Sequence, residues 1–148
     1  MPDTTPLEEL PGPCRVCGGT TGAAPQGVRH CARCGWRWGD APDADLPRPR
    51  VEVVYYLRYA DRVKIGTSAT PRARLRAIRH DELLAFEPGG RALEQQRHRE
   101  FADLREGGEW FTLTGAITAH IDRIRATQAD AWAAYDRWLG DAFRAVSS

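Results

Sequence analysis

Lysine is nearly missing from this chain. Of the 21 basic residues, twenty are arginine and one, Lys64, is lysine. Abundant arginine beside abundant alanine and glycine reads as codon composition, so it is no argument for function by itself. Long apolar runs are missing too. No stretch approaches the roughly 20 residues that a membrane-spanning helix needs. The start, MPDTTPLEEL, is acidic and lacks the apolar centre of a secretory leader. These absences predict a cytoplasmic protein with no membrane partner, in a compartment where thiols stay reduced. A surplus of charge is missing as well, because 21 basic residues face 20 acidic ones for a net +1. A nucleic-acid partner must therefore be argued from local charge.

What is present divides the 148 residues into one small domain with a mini-domain ahead of it. Residues 1–12 are expected to be a disordered N-terminus. Residues 13–38 hold all four cysteines. GDAPDADLPRPR, residues 39–50, reads as a stiff, solvated linker. From 51 the pattern changes. VEVVYYLRY and RVKIG are β-branched and aromatic, two strands joined at Ala60–Asp61. TPRARLRAIR opens a helix, with Thr70 as N-cap and Pro71 at its first position. ELLAFE is a further strand, RALEQQRHREFADL a helix and EWFTL another strand, which closes a core at residues 51–113. Residues 114–148 form a helical extension with apolar residues at three- and four-residue spacings. The fold class is α+β: a small mixed or antiparallel sheet with flanking helices, preceded by a ribbon and followed by a helical tail.

Cys14-x2-Cys17 and Cys31-x2-Cys34 are each followed by glycine. Glycine there lets the chain turn so that backbone N–H groups point at the sulfurs. Four thiolates suit tetrahedral zinc, which would supply the folding energy that so short a module lacks. Two disulfides and an iron site are the competing readings. Residues 14–37 carry Arg15, Arg29, Arg33 and Arg37 with no acid, so four thiolates with Zn²⁺ leave the module net positive. Arg33, Arg37 and Trp36 are thus candidates to touch a phosphate backbone and stack on a base. Equally, the tryptophans could simply pack on the cysteine knuckles. His30, beside Cys31, reads as a neighbour rather than a ligand.

With Ala60–Asp61 as the turn, Tyr59 faces Arg62, Leu57 faces Lys64 and Tyr55 faces Gly66. Alternation then places Tyr55, Leu57, Lys64 and Gly66 on one face, and Val54, Tyr56, Val63 and Ile65 on the other. An ammonium diagonal to Tyr55 would favour the phenolate and suit it as a general base. A compact point charge fits there better than a guanidinium fork. In the next helix Arg72, Arg76 and Arg79 share a solvated face, suited to nucleic acid, while Arg74 lies toward the sheet. Glu94 falls on the same side of its helix as Leu93, Phe101 and Leu104. On spacing alone, Arg74 and Glu94 could merely pair or rim the core.

The segment VYYLRYADRVKIGTSATPRARLRAI, with Glu94 and then GEWF, resembles the GIY-YIG nuclease superfamily, in a branch that writes KIG and ends its core in EWF. The resemblance covers about residues 51–113. It makes Tyr55 the tyrosine of the first triplet, puts Lys64 in the place of the second tyrosine, and matches Arg74 to the catalytic arginine and Glu94 to the metal-binding glutamate. It implies a metal-dependent endonuclease acting on DNA, with RNA as the alternative substrate. Tyr55 would be its general base, Lys64 would tune Tyr55, Arg74 would hold the scissile phosphate and Glu94 would hold Mg²⁺ or Mn²⁺. The rival expectation is a catalytically inactive zinc-ribbon module that binds nucleic acid or protein. His98, one turn after Glu94, reads as a buried structural histidine rather than a neighbour of the metal's waters. His120 has no evident partner, and Glu109 reads as a strand-end charge. Unbroken, the tail helix would outrun the core. It either breaks near residues 126–130, with Asp130 capping a second helix, or exposes Trp132, Leu139 and Phe143 as a homodimer surface.

Overall fold

Alternating β-branched and aromatic residues on either side of Ala60–Asp61 build the central hairpin, β4 (Val53–Tyr59) with β5 (Arg62–Ser68), in the expected register from Tyr59–Arg62 to Val53–Ser68. The computed structural model of the chain describes residues 5–42, 45, 48–128 and 130–147. Residues 1–4, part of the 39–50 linker and Ala129 of the expected tail break lie outside the described residues. The remaining elements are β1 (Glu8–Glu9), β2 (Thr21–Ala23), β3 (His30–Cys31), α1 (Pro71–Arg76), β6 (Glu82–Pro88), α2 (Arg91–Glu100), β7 (Arg105–Gly107), β8 (Trp110–Thr112), α3 (Gly115–Arg125) and α4 (Ala131–Ser147). The α+β class stands, and both sheets are antiparallel.

The chain separates into two compact units, residues 51–135 and residues 1–50 with 136–148. In the first, five strands lie in the order β6-β4-β5-β8-β7. One face buries Val54, Tyr56, Val63, Ile65, Ala85 and Phe111 against Phe101, Ile117 and Ile121, so α2 and α3 cover it. The other face carries Tyr55, Leu57, Gly66 and Lys64, and its Phe86 takes the ring edges of Trp132 and Tyr135 at 5.0 and 6.1 Å. Gln128 Nε2 donates to the Phe86 carbonyl at 2.5 Å, which blunts the open edge of β6.

The tail breaks without glycine or proline. Asp130 Oδ1 accepts from the Ala133 N–H at 2.8 Å and so caps α4. Ala131–Tyr135 then belong to the sheet unit and Asp136 onward to the cysteine unit. Tyr135, Leu139 and Phe143 are buried within the chain. Of the same stripe, Trp132 is half-buried and Val146 is exposed.

Within the expected N-terminus 1–12, the segment Glu8–Leu10 joins the cysteine unit. Glu8–Glu9 pair with Thr21–Gly22, the Leu10 N–H donates to Thr20 O at 2.8 Å, and Leu10 is buried. The expected helix at 91–104 also ends early. Phe101 turns out of α2 into a short 3₁₀ turn, and β7 follows as an edge strand that no hydrophobic alternation announced.

Candidate functional site

Tyr55 stands opposite Gly66, and its phenol lies across the glycine. A Cβ at position 66 would run into the Tyr55 ring and hydroxyl, so the glycine is required for room. Tyr55 is 1% exposed. Arg74 reaches it from α1, and the guanidinium hydrogen-bonds to the phenol oxygen. Thr70 holds the N-cap position of α1 without a side-chain cap bond, and Pro71 begins the helix as expected. Burial pushes the Tyr55 hydroxyl above its ordinary value of 10, and the Arg74 hydrogen bond opposes that rise.

The contacts of Lys64 are with Glu109 and Trp110. Pairing of β5 with β8 places Trp110 opposite Lys64, and the ammonium meets Glu109 at 3.3 Å and lies 5.4 Å from the Trp110 ring centre. Besides burial, the groups that act most on Tyr55 include Arg74, Glu109 and Glu94. Nothing in the hairpin alone shows this, because the neighbour of Lys64 is chosen by a strand 46 positions further on.

Glu94 is 9% exposed, although it is a carboxylate on a helix. Burial raises its pKa, and the adjacent charge and hydrogen bond of Glu109 raise it further. The reason for this placement lies in the sheet edge. On β5, β8 pairs with Arg62–Lys64, and that ladder ends where the Ile65 N–H donates to Glu109 O at 2.9 Å. Beyond that point β5 is uncovered, and α2 fills the gap. His98 Nε2 donates to Ile65 O at 2.8 Å, stays 3.7 Å from Glu94 Oε1, and sets its ring 5.0 Å from that of Phe111. His98 is thus bound to backbone, in keeping with a structural role. Glu94 and Glu109 thus stand as adjacent carboxylates, with Lys64 on Glu109.

In the cysteine unit the two knuckles repeat one another. Gly18 and Gly35 take φ of 79° and 81°, and their N–H groups donate to Cys14 O and Cys31 O at 2.8 and 3.0 Å. The next residues, Gly19 and Trp36, aim backbone N–H groups at Cys17 Sγ and Cys34 Sγ at 3.3 and 3.4 Å. The four sulfurs lie within 4.8 Å of one another, with Cys14–Cys34 and Cys17–Cys31 both at 3.6 Å. A tetrahedron with ~2.3 Å metal–sulfur bonds has edges of about 3.8 Å. The spacing suits a metal such as zinc, and all four thiols are free of disulfides.

Two of the expected nucleic-acid contacts here are otherwise engaged. Trp36 is buried, meets Phe143 edge-on at 6.2 Å and donates its indole N–H to Asp40 O, so it cannot stack on a base. Arg33 ion-pairs at 2.6 Å with Asp136, which is fully buried. Arg29 pairs with Glu8 at 3.1 Å. Acids outside residues 14–37 thus absorb the positive surplus. Arg37 remains exposed, as do Arg72, Arg76 and Arg79 on the sheet unit.

On the sheet's covered face the structure adds a network that spacing did not reveal. Glu87 accepts from the Tyr56 hydroxyl, from Arg97 at 3.0 and 2.9 Å, and meets His120 Nε2 at 3.2 Å. Burial works against the Glu87 carboxylate, but the His120, Arg97 and Tyr56 hydrogen bonds prevail and hold its pKa at about 2. His120 therefore has partners after all.

With this geometry in place, the comparison with known families is decisive. The sequence model of the T5orf172 domain matches residues 52–135. The chain belongs to the T5orf172 domain family. This corrects the GIY-YIG assignment drawn from the short triplets and the EWF segment. Those residues specify a hairpin, a glycine under a tyrosine and an edge strand, and such local needs do not define a family. The T5orf172 match also runs past residue 113, in keeping with α3 and the first turn of α4 completing the sheet unit. T5orf172 domains are associated with nuclease and DNA-binding functions. No curated protein and no solved structure matches the chain significantly.

Proposed function

We propose that this T5orf172 protein is a metal-dependent endonuclease that hydrolyses phosphodiester bonds in DNA, and that Cys14, Cys17, Cys31 and Cys34 hold a structural zinc. The observation that carries the reading is the convergence of Tyr55, Arg74, Glu94 and Glu109 where β8 stops covering β5. Tyr55 takes a proton from the attacking water. Arg74, exposed except for its bond to Tyr55, binds the phosphate and stabilises the charge that builds at phosphorus. Lys64 holds Glu109 and so orients the second carboxylate beside Glu94. A divalent cation, Mg²⁺ or Mn²⁺, held by Glu94 would polarise the phosphoryl oxygen and stabilise the leaving oxygen.

The test is nicking of supercoiled DNA by the full-length protein with Mg²⁺. Glu94→Ala and Arg74→Ala should each lose roughly 10²–10³ in rate with the fold intact. The rate should climb with pH into the alkaline range, because Tyr55 must lose a proton whose pKa lies above 10. Wild-type rates in either variant would remove that residue from the mechanism. One observation favours the rival reading of an inert binding module: burial pushes the Tyr55 hydroxyl above its ordinary value, away from the phenolate a base needs. Absence of metal-dependent nicking at every pH would select that reading.

A further inference from the structure

The arginines of the sheet unit fall into two groups. Arg58 pairs with Asp81 and Glu82, both at 3.5 Å, and Arg97 pairs with Glu87 and Glu100 at 2.9 and 2.7 Å. Arg62 and Arg79 have no carboxylate partner among the described residues. Each is held by aromatic rings instead. Arg62 lies 4.7 Å from the Trp110 ring centre and 5.6 Å from that of Tyr59, and Arg79 lies 5.3 Å from Tyr59. Trp110 and Tyr59 meet edge-on at 6.3 Å. The acids nearest Arg79 in sequence, Asp81 and Glu82, are engaged by Arg58, and Asp81 also accepts from the Ala60 N–H. Two guanidiniums are thus fixed in place by stacking and left uncompensated in charge.

Their position relative to the candidate catalytic groups gives this meaning. Gly66, Lys64 and Arg62 follow one another on one face of β5, and at about 3.4 Å per residue Arg62 stands ~14 Å from the glycine under Tyr55. Lys64, between them, is neutralised by Glu109. A stacked guanidinium keeps its N–H edges free and is weakly hydrated, which suits it to phosphate. The rings are occupied by cations, so they serve as platforms for charge and are not open to bases.

We propose that Arg62 and Arg79, set on Tyr59 and Trp110, form a track that binds the phosphodiester backbone of DNA where it leaves the cutting site toward the β4–β5 turn. The proposal rests on the DNA-cleaving reading above and names the surface that holds the substrate. Contacts of this kind position a duplex without reading its sequence.

The experiment is fluorescence anisotropy with the full-length protein, without added divalent cation, on two short labelled duplexes of unrelated sequence over a range of salt concentrations. Arg62→Gln and Arg79→Gln should each weaken binding several-fold, equally on both duplexes, and lower the salt slope by about one. Arg123→Gln, exposed on α3 across the sheet, should change neither. If Arg62→Gln lowers the melting temperature, exposed Arg79 reads the track alone. Wild-type affinity and slope in both variants, with the parent protein binding DNA, would overturn the track and leave the nuclease reading standing. No binding of either duplex by the parent protein would overturn both.

Discussion

At the scale of residues, the site is a set of charges held against their preference. Glu94 is buried beside Glu109, and both burial and the like charge raise its pKa. A raised carboxylate pKa stabilises the fold only in acid, and that contribution is lost as pH rises through the folded value. At neutral pH the buried Glu94 carboxylate therefore costs stability. Glu94→Gln keeps the shape, removes the repulsion and should raise the melting temperature by a few degrees at neutral pH while abolishing cleavage. Calorimetry at neutral and acid pH checks this. The gain should shrink in acid, where Glu94 is protonated in the parent protein too. A drop in melting temperature at neutral pH would show that Glu94 is a structural acid. Tyr55, Arg74 and Glu94 were legible as sequence positions. Glu109 as the partner of both Lys64 and Glu94 was not, because its neighbours come from β5 and α2.

At the scale of elements, the face away from the site is locked by the network that joins β6, β4, α2 and α3 through Glu87. Arg97 lies on α2 between Glu94 and His98, so its two bonds to Glu87 also fix the helix that carries the candidate metal ligand. The Glu87 carboxylate is depressed from 4.5 to about 2. Its stabilisation is therefore complete above pH 4.5 and is lost as pH falls toward 2. Glu87→Gln, which leaves Arg97 short of a partner in a largely buried site, should cost about 3 kcal/mol at neutral pH. Urea denaturation should show the parent and variant converging as pH falls through that window. A constant difference across it would place the loss in packing and not in charge.

At the scale of the whole molecule, the tail is divided. Asp136, Leu139 and Phe143 belong with the cysteines, where Asp136 holds Arg33 and Phe143 packs on Trp36. A chain ending at Thr127 should therefore lose stability at its metal site. Full-length protein should carry close to one zinc per chain. The shortened chain should release zinc to a chromogenic chelator much faster, since uncompensated Arg33 and exposed Trp36 loosen the second knuckle. Equal release rates would mean that the cysteine module stands without α4.

The sequence by itself determined whatever depends on near neighbours. Alternation and a two-residue turn set the hairpin register down to Tyr55 opposite Gly66. The CxxCG spacing set both knuckles, because a glycine at positive φ is needed wherever a chain turns its amides toward a thiolate. Length offered a tail break capped by Asp130 beside an unbroken, exposed helix, and the fold took the break. Tertiary structure alone decided the pairings across distance. It gave Lys64 to Glu109, because β8 selects which charge meets the ammonium. It buried Trp36 under Phe143, drew Arg33 to Asp136, and turned His120 and Tyr56 onto Glu87. Each of these depends on which surfaces close over one another, and hydrophobic period carries no record of that.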